Sequence, residues 1–489
     1  MNSTDDHMDE KQRAEPADKA HQNEIVKGGV SAFTTRLVGM GFSYLFTFLI
    51  SRMYGAAGNG VYNLSQSLMT FTASITKLGS DTLMTRYGAQ YNAQKKFGWI
   101  KDLYNKSLMV SVPLAILFST ALYFLAPLIA TKVFQKQDAD LIRAFRIATL
   151  ALLPVTIFNI SNGGLRGLKK IRIYAMLQNV SNFFFGCIII SVLYFVTDDK
   201  VVPVITYVAF VTIGGILSGY FFLKYSNYSS TQVEQGLEFN EKFLIGISLF
   251  VASLASLIRG YADTFILGRY ATIEDVGIYR NAFKVATITR IALTAFLVPA
   301  APKFAELFSQ GKMKELGESA QFATKIIFWC SAPILAGVIL LAPFIMGIFG
   351  KEFLAGTEAL IILSVGQFIN AATGPVSNIL MMTGRQKLNR NLMVATTILA
   401  IVLDLIFIPR FGIVGAACVN TFGIIIMNLV PFFLIKYYYG FYTLDFTELF
   451  KVNPKTFVRQ IRQAIKPEKK KKGDSEKETT VEDQVGSID

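Results

Sequence analysis

The chain has 489 residues, of which 52% are apolar and 17% charged, and its formal net charge is +14. Soluble domains carry about 25% charged residues, so this balance excludes an ordinary soluble protein and points to the membrane. The basic residues cluster in short loops between apolar runs, the cytoplasmic-loop pattern of a membrane protein, so the positive charge does not imply a nucleic-acid partner.

Residues 1–24 are hydrophilic and acidic and lack the apolar core of a cleavable signal; they are read as a disordered cytoplasmic tail. Apolar runs of about twenty residues follow, each long enough to cross hydrocarbon as a helix. Twelve spans are expected near 26–53, 60–86, 105–131, 142–165, 171–196, 202–224, 243–268, 276–301, 321–349, 356–383, 391–409 and 412–437. Spans two, seven and eight are less hydrophobic than a single-pass anchor, as suits helices that face a polar interior. Segment 225–241 reads as a cytoplasmic linker between six-helix lobes at 25–224 and 242–440. Residues 441–489 read as a cytoplasmic tail in which Lys469-Lys470-Lys471-Lys472 precedes Glu476, Glu478 and Glu482, a solvated run rather than a lipid anchor.

The loops alternate in charge. Lys95, Lys96 and Lys101 lie in 87–104, Arg166, Lys169, Lys170 and Arg172 in 166–172, and Arg385, Lys387 and Arg390 in 384–390. These belong in the cytoplasm, which places both termini there and the chain in the plasma (inner) membrane as a multi-pass protein. Asp198-Asp199-Lys200 and Glu274-Asp275 mark the opposite side.

Both histidines, His7 and His21, lie in the N-terminal tail, so the membrane body offers no histidine metal site or proton relay. Cys187, Cys330 and Cys418 lie singly in apolar runs and read as small packing residues. No GxxxxGK[ST] loop is present. Neither a cofactor nor an enzymatic reaction is expected.

The second half repeats the first at an offset of 217 residues. Arg52, Gly60 and Tyr62 correspond to Arg269, Gly277 and Tyr279; Arg86-Tyr87 corresponds to Lys303-Phe304, and Gly167 to Gly384. Six spans per copy give both copies one orientation, related by an axis along the membrane normal. Paired helix bundles with a site between them are a common plan of secondary transporters. Gly55, Gly58, Gly60 and Gly277 read as tight turns between spans, and Gly163-Gly164, Gly412 and Gly415 as sharp turns or close helix approaches; none receives a ligand role.

Ionisable residues inside spans cost on the order of 2.5–3.5 kcal/mol each at mid-helix, and so call for an account. Arg36 lies in span one, Lys77 and Asp81 in span two, Arg259 and Asp263 in span seven, Lys284 and Arg290 in span eight, and Asp404 in span eleven. Lys77 with Asp81 and Arg259 with Asp263 are spaced i, i+4, which puts opposite charges on one face. Arg36, Lys284 and Arg290 have no carboxylate at i±3 or i±4. A wet chamber lined by surplus cations would bind an anion, and the planar fork of arginine suits phosphate; the five candidates for that lining are Arg36, Arg259 and Arg290 as docking groups, with Lys77 and Lys284 adding charge. Asp81, Asp263 and Asp404 are candidates for a coupling ion or for charge pairing. Asn159, Asn179, Gln367 and Asn370, with neighbouring amides such as Gln178, are candidates for contact with sugar hydroxyls; taken singly, each also fits a helix-packing role.

The stretches Ser51–Tyr62, Ile266–Tyr279, Pro302–Glu306, Phe349–Phe353 and Ile408–Ala417 resemble bacterial polysaccharide flippases of the multidrug/oligosaccharidyl-lipid/polysaccharide exporter superfamily, over roughly residues 25–440. The resemblance implies an all-α polytopic membrane protein: twelve transmembrane helices in two six-helix lobes, forming a V-shaped transporter like those of the MATE family. It implies outward movement of undecaprenyl-pyrophosphate-linked oligosaccharide by alternating access through a cationic cavity. The implied partners are that lipid-linked substrate, membrane lipids, and polysaccharide polymerase or assembly proteins. Two alternatives remain: a cation-coupled multidrug exporter, which would need unpaired acids facing the cavity, and a non-transporting scaffold.

Overall fold

The structure, a computed structural model, describes residues 5–228, 239–445 and 449. The first lobe is built from α1 (Asp5–Lys77), α2 (Ser80–Ala93), α3 (Phe97–Leu128), α4 (Ala139–Thr149), α5 (Leu152–Gly167), α6 (Ile171–Ala175), α7 (Asn182–Tyr194) and α8 (Val202–Tyr225). The second comprises α9 (Phe239–Tyr270), α10 (Ile273–Ala286), α11 (Ile291–Ser309), α12 (Met313–Leu340), α13 (Ala342–Phe349), α14 (Thr357–Ala372), α15 (Val376–Met382) and α16 (Gln386–Tyr439). No strand occurs among the described residues. Hydrocarbon offers no partner to a free N–H or C=O, so a spanning chain satisfies its backbone within helices.

Seven helical segments are long and apolar enough to cross a membrane, and the pair α4–α5, bent by 43°, makes an eighth. Two of these are double. As straight rods, the 73 residues of α1 and 54 of α16 would run about 110 and 80 Å, far beyond one bilayer. Each is divided at a glycine with left-handed φ, Gly55 (66°) and Gly412 (53°). Counted by arms, the element order is consistent with the twelve passes expected. Spans two and eight, the less hydrophobic ones, are broken: α1 and α2 part at Leu78-Gly79, and a 3-10 turn, Thr287–Arg290, joins α10 to α11. The outer surface is apolar, with Met109, Phe124 and Leu340 more than two-thirds exposed, as befits a lipid-facing wall.

The packing is split at one end and joined at the other. At the end that carries the basic loops, Met84, Tyr91, Ile100, Tyr104, Leu165 and Phe222 form a core wholly within the first lobe. Phe304, Leu307, Leu316, Val376, Leu380 and Ile435 form a separate core within the second. At the opposite end one continuous core joins the lobes, with Phe46, Ile50, Val61 and Leu64 packed together with Leu267, Val276, Tyr279 and Phe353. The molecule is therefore a V that opens toward its basic loops.

The seam of the V lies between α1 and α10. A Cβ placed on Gly60 would stand 1.9 Å from the Ile273 carbonyl oxygen, and one on Gly277 would stand 2.4 Å from that of Ala56. Gly60 and Gly277 are repeat equivalents, as are Ala56 and Ile273, so this is one contact made twice about a local two-fold axis. Alongside it the Ala56 N–H donates to Glu352 at 2.8 Å. Asn59 Nδ2 donates to Asn281 Oδ1 at 2.7 Å, and Asn281 Nδ2 donates to Ser51 Oγ at 2.7 Å. These glycines thus serve close approach between lobes, beyond the turn role read from the sequence.

The segments flanking the lobes differ from the sequence reading. The backbone is helical from Asp5, within the stretch read as an N-terminal tail. Beyond Tyr439 the chain straps the basic end of the second lobe. Thr443 Oγ1 donates to the Thr373 carbonyl at 2.7 Å, Trp329 Nε1 donates to that of Leu449 at 2.9 Å, and Leu444 and Leu449 are buried. Tyr228 makes the matching strap on the first lobe: its carbonyl accepts from Lys101 Nζ at 2.8 Å, and its hydroxyl donates to Asn105 at 2.7 Å. Linker residues 229–238, Met1–Thr4 and the Lys469–Lys472 run lie outside the described residues.

Overpacking of this kind costs about 1–3 kcal/mol. Gly60→Ala and Gly277→Ala are each expected to lower the thermal unfolding midpoint in detergent. Gly219→Ala, where nothing lies within 4 Å of the added methyl, is expected to leave it unchanged.

Candidate functional site

Where α1 and the α10–α11 pass diverge toward the basic end, they enclose a cavity of about 270 Å³. Arg36, Gly39, Met40 and Ser43 line it from α1, and Thr287, Arg290, Ile291 and Thr294 from the second lobe. The third wall comes from a π-helical turn, Met176–Ser181, which carries Gln178 and Asn179 into the cavity. Such turns widen a helix locally and recur at functional sites. Here the turn packs directly on Gly39, where a Cβ would stand 2.4 Å from the Asn179 carbonyl oxygen.

Two of the five candidate cations line this cavity. Arg36 approaches from the first lobe and Arg290 from the second, and neither forms an ion pair among the described residues. The other three are placed differently. Lys77 pairs with Asp81 at 2.7 Å across the Leu78-Gly79 break, so this i, i+4 pair staples a broken span. Lys284 crosses the seam: its ammonium donates to the Ser43 carbonyl at 2.7 Å and to Thr47 Oγ1 at 2.5 Å. Arg259 lies away from the cavity and donates to Thr396 Oγ1 at 3.4 Å.

The expected pairing of Arg259 with Asp263 does not form among the described residues. Asp263 instead accepts from the Thr264 N–H and hydroxyl, the Tyr279 hydroxyl and Asn420 Nδ2. Four donors satisfy the carboxylate without the arginine. Asp263, Asp404, Arg259, Thr397 and Asn420 line a second, small pocket of about 20 Å³ between α9 and the two arms of α16. A volume of about 10–15 Å³ suffices for one water-sized occupant. Asp404 is 3% exposed, and its Oδ1 has no hydrogen-bond partner among the described residues.

The four amide candidates separate as well. Asn179 lines the large cavity while its Nδ2 donates back to the Ala175 carbonyl at 2.9 Å. Gln178 accepts from Asn162 Nδ2 at 3.0 Å. Gln367 is buried with Oε1 unpartnered among the described residues. Asn159 and Asn370 are half-buried and line neither cavity. The sequence reading missed Ser43, Thr287 and Thr294, whose hydroxyls carry no charge to draw notice. It also missed Arg280, although that residue lies inside span eight. Its guanidinium sits 5.6 Å from the centroids of both Tyr261 and Phe283.

Two helical lobes joined along one seam, with a polar cavity between them, define a multi-pass membrane transporter. The chain belongs to the polysaccharide biosynthesis protein family, whose profile matches residues 25–308, within the multidrug/oligosaccharidyl-lipid/polysaccharide exporter superfamily. The profile of the MatE family matches residues 248–406. An uncharacterised membrane protein of Methanocaldococcus jannaschii, MJ1068, is 22% identical over 427 residues, 83% of each chain. A probable low-salt glycan biosynthesis flippase of Haloferax volcanii, Agl15, is 24% identical over 220 residues, 43% of this chain and 47% of that protein. Among solved structures, the lipid II flippase MurJ in an inward closed conformation superposes with a TM-score of 0.68 at 15% identity, covering 90% of this chain and 96% of that one. At that identity the likeness speaks for the fold alone.

Because the Lys77–Asp81 pair is remote from the cavity lining, its role is expected to be structural. The pair is half-buried, and removing one partner leaves an uncompensated charge within a span. Lys77→Met is therefore expected to lower the thermal midpoint, and Lys77→Met with Asp81→Leu to restore most of it.

Proposed function

We propose that this member of the family carries an undecaprenyl-pyrophosphate-linked oligosaccharide from the cytoplasmic to the outer leaflet. One observation carries the reading: two arginines without acidic partners, Arg36 and Arg290, come from different lobes to line the same cavity. A pyrophosphate held there would bridge the halves that must move. Each planar guanidinium donates two parallel hydrogen bonds to phosphate oxygens, which a lysine cannot match. The hydroxyl and amide groups of Ser43, Thr287, Thr294 and Gln178 supply neutral donors and acceptors of the kind that sugars require.

The positive-inside rule supports a cytoplasmic position for the open end of the V, which carries the basic loops; on that reading the cavity in this state faces the leaflet where the substrate would enter. The lipid tail remains in the bilayer while the lobes rock about the seam. An inside-negative potential favours outward movement of an anion by about 2.3 kcal/mol per charge per 100 mV.

The pocket between Asp263 and Asp404 suits a coupling ion. Asp404 Oδ1 and Asn420 Oδ1, both buried without a hydrogen-bond partner among the described residues, and the Thr397 hydroxyl form an oxygen donor set for a hard cation, beside Arg259 in the same lining. The same pocket, together with the MatE match over 248–406, supports the second reading, a cation-coupled multidrug exporter. A cationic drug would need acids in the large cavity, whereas its described lining carries two arginines and no acid.

Arg36→Gln combined with Arg290→Gln is expected to abolish complementation of a flippase-null strain while the protein accumulates normally in the membrane. Full complementation by that variant would overturn the docking role, and drug resistance conferred by the unaltered chain would favour the second reading. Arg259→Gln, which alters the small pocket and leaves the lining of the large cavity intact, is expected to retain binding of undecaprenyl pyrophosphate by the purified protein. Asp404→Asn is expected to make transport in proteoliposomes insensitive to an imposed sodium or proton gradient.

A further inference from the structure

Lys284 is the cation that bridges the two lobes at the cavity side of the seam. Its ammonium is held across the lobes by the Ser43 carbonyl and the Thr47 hydroxyl, and it lies 5.5 Å from the ring centroids of Tyr44 and Phe183. Every one of these partners is neutral, and among the described residues no carboxylate pairs with it. The clasp continues on both sides. Toward the cavity, the Tyr44 hydroxyl donates to the Lys284 carbonyl at 2.8 Å and lies 3.2 Å from Thr287 Oγ1. Toward the joined end come Ser51 with Asn281, then Ala56 with Gly277. Lys284 therefore stands between the cavity and the seal, and Ser43, Phe183 and Thr287 belong both to its surroundings and to the cavity lining.

A cation held by neutral acceptors gains when an anion comes within reach. The ammonium's present bonds are already charge-assisted, but an anionic acceptor adds direct Coulomb attraction, which strengthens as the surroundings become less polar. An anion lodged beside Ser43 and Thr287 competes directly with the Ser43 carbonyl and Thr47 hydroxyl for the ammonium. Whatever draws Lys284 off those acceptors removes the polar tie next to the Ser51–Asn59–Asn281 triangle, leaving the seal on hydrogen bonds and glycine contacts alone.

The geometry points to Lys284 as the positioning residue that couples occupancy of the cavity by a phosphate-bearing head group to opening of the joined end. This rests on the docking role of Arg36 and Arg290, and adds to it that the substrate's own charge releases the seam. A substrate without an anionic head would bind without opening the outer side.

The test uses the full chain in proteoliposomes with Cys187, Cys330 and Cys418 replaced by alanine and Ala56→Cys added as a reporter buried in the seal. Undecaprenyl pyrophosphate is the probe, and labelling by a membrane-impermeant maleimide is the readout. With Lys284 in place, the probe is expected to raise the labelling rate severalfold. Lys284→Met is expected to retain probe binding and lose that rise, and Lys284→Arg to keep much of it. Thr47→Val, which removes an acceptor and leaves the charge, is expected to raise labelling without any probe. A full rise in Lys284→Met would overturn the coupling, as would loss of probe binding in that variant, which would make Lys284 a docking group. Binding without any rise in the unaltered seam would overturn the coupling and spare the docking role. Failure of the unaltered protein to bind the probe would overturn both.

Discussion

Everything in this molecule turns on how closely α1 and α10 can approach. Helix association in a bilayer gains nothing from excluding lipid tails, so it relies on van der Waals contact and on polar groups satisfied across the interface. The seam supplies both. Two glycines bring backbone against backbone, each facing a carbonyl from the other lobe. Ser51, Asn59, Asn281 and Glu352 then satisfy one another or the exposed backbone beside them. No equivalent cross-lobe core exists at the basic end, where each lobe keeps its own. The cavity is what remains between two helices sealed at one end and free at the other.

That arrangement explains the distribution of charge. Inside the lobes, Lys77 and Asp81 neutralise each other and Asp263 is surrounded by donors. Arg36, Lys284 and Arg290, on the helices between the lobes, meet no acid among the described residues. A membrane protein tolerates such groups where water or a partner reaches them. The small pocket with Asp263 and Asp404 lies apart, inside the second lobe between α9 and α16. On the proposed reading, anion and cation chemistry are housed separately.

Much of this was legible in the sequence, for reasons that can be stated residue by residue. The repeat at 217 residues identified Gly60 and Gly277 as equivalent, but equivalence does not reveal that the symmetry axis runs between them. Arg36 and Arg290 stood out because nothing acidic lies one turn away. The same rule misjudged Arg259: spacing of i, i+4 places it on the face of Asp263, yet Tyr279 and Asn420 reach that carboxylate from other helices. Lys284 could not be located at all, since a backbone carbonyl acceptor such as that of Ser43 leaves no trace in residue identity. The strap made by 441–445 and Leu449 was read as tail because its anchors, Thr443 and Leu449, are individually unremarkable and gain meaning only from Thr373 and Trp329.

The division of the cores also bears on biogenesis. The first lobe's private core can consolidate once α8 and Tyr228 leave the ribosome, because its buried residues, Tyr91, Tyr104 and Phe222 among them, all come from the first lobe. The joined core cannot, since half of it is contributed by α9, α10 and beyond. Until those arrive, Ile50, Val61 and Leu64 can rest against lipid at little expense, while Ser51 and Asn59 keep only their partners within α1, the Thr47 carbonyl, each other and Asn63. The nascent half-protein therefore presents a polar stripe whose cross-lobe bonds to Asn281 are still unmade, the kind of surface that an insertase or a membrane chaperone would shelter during synthesis.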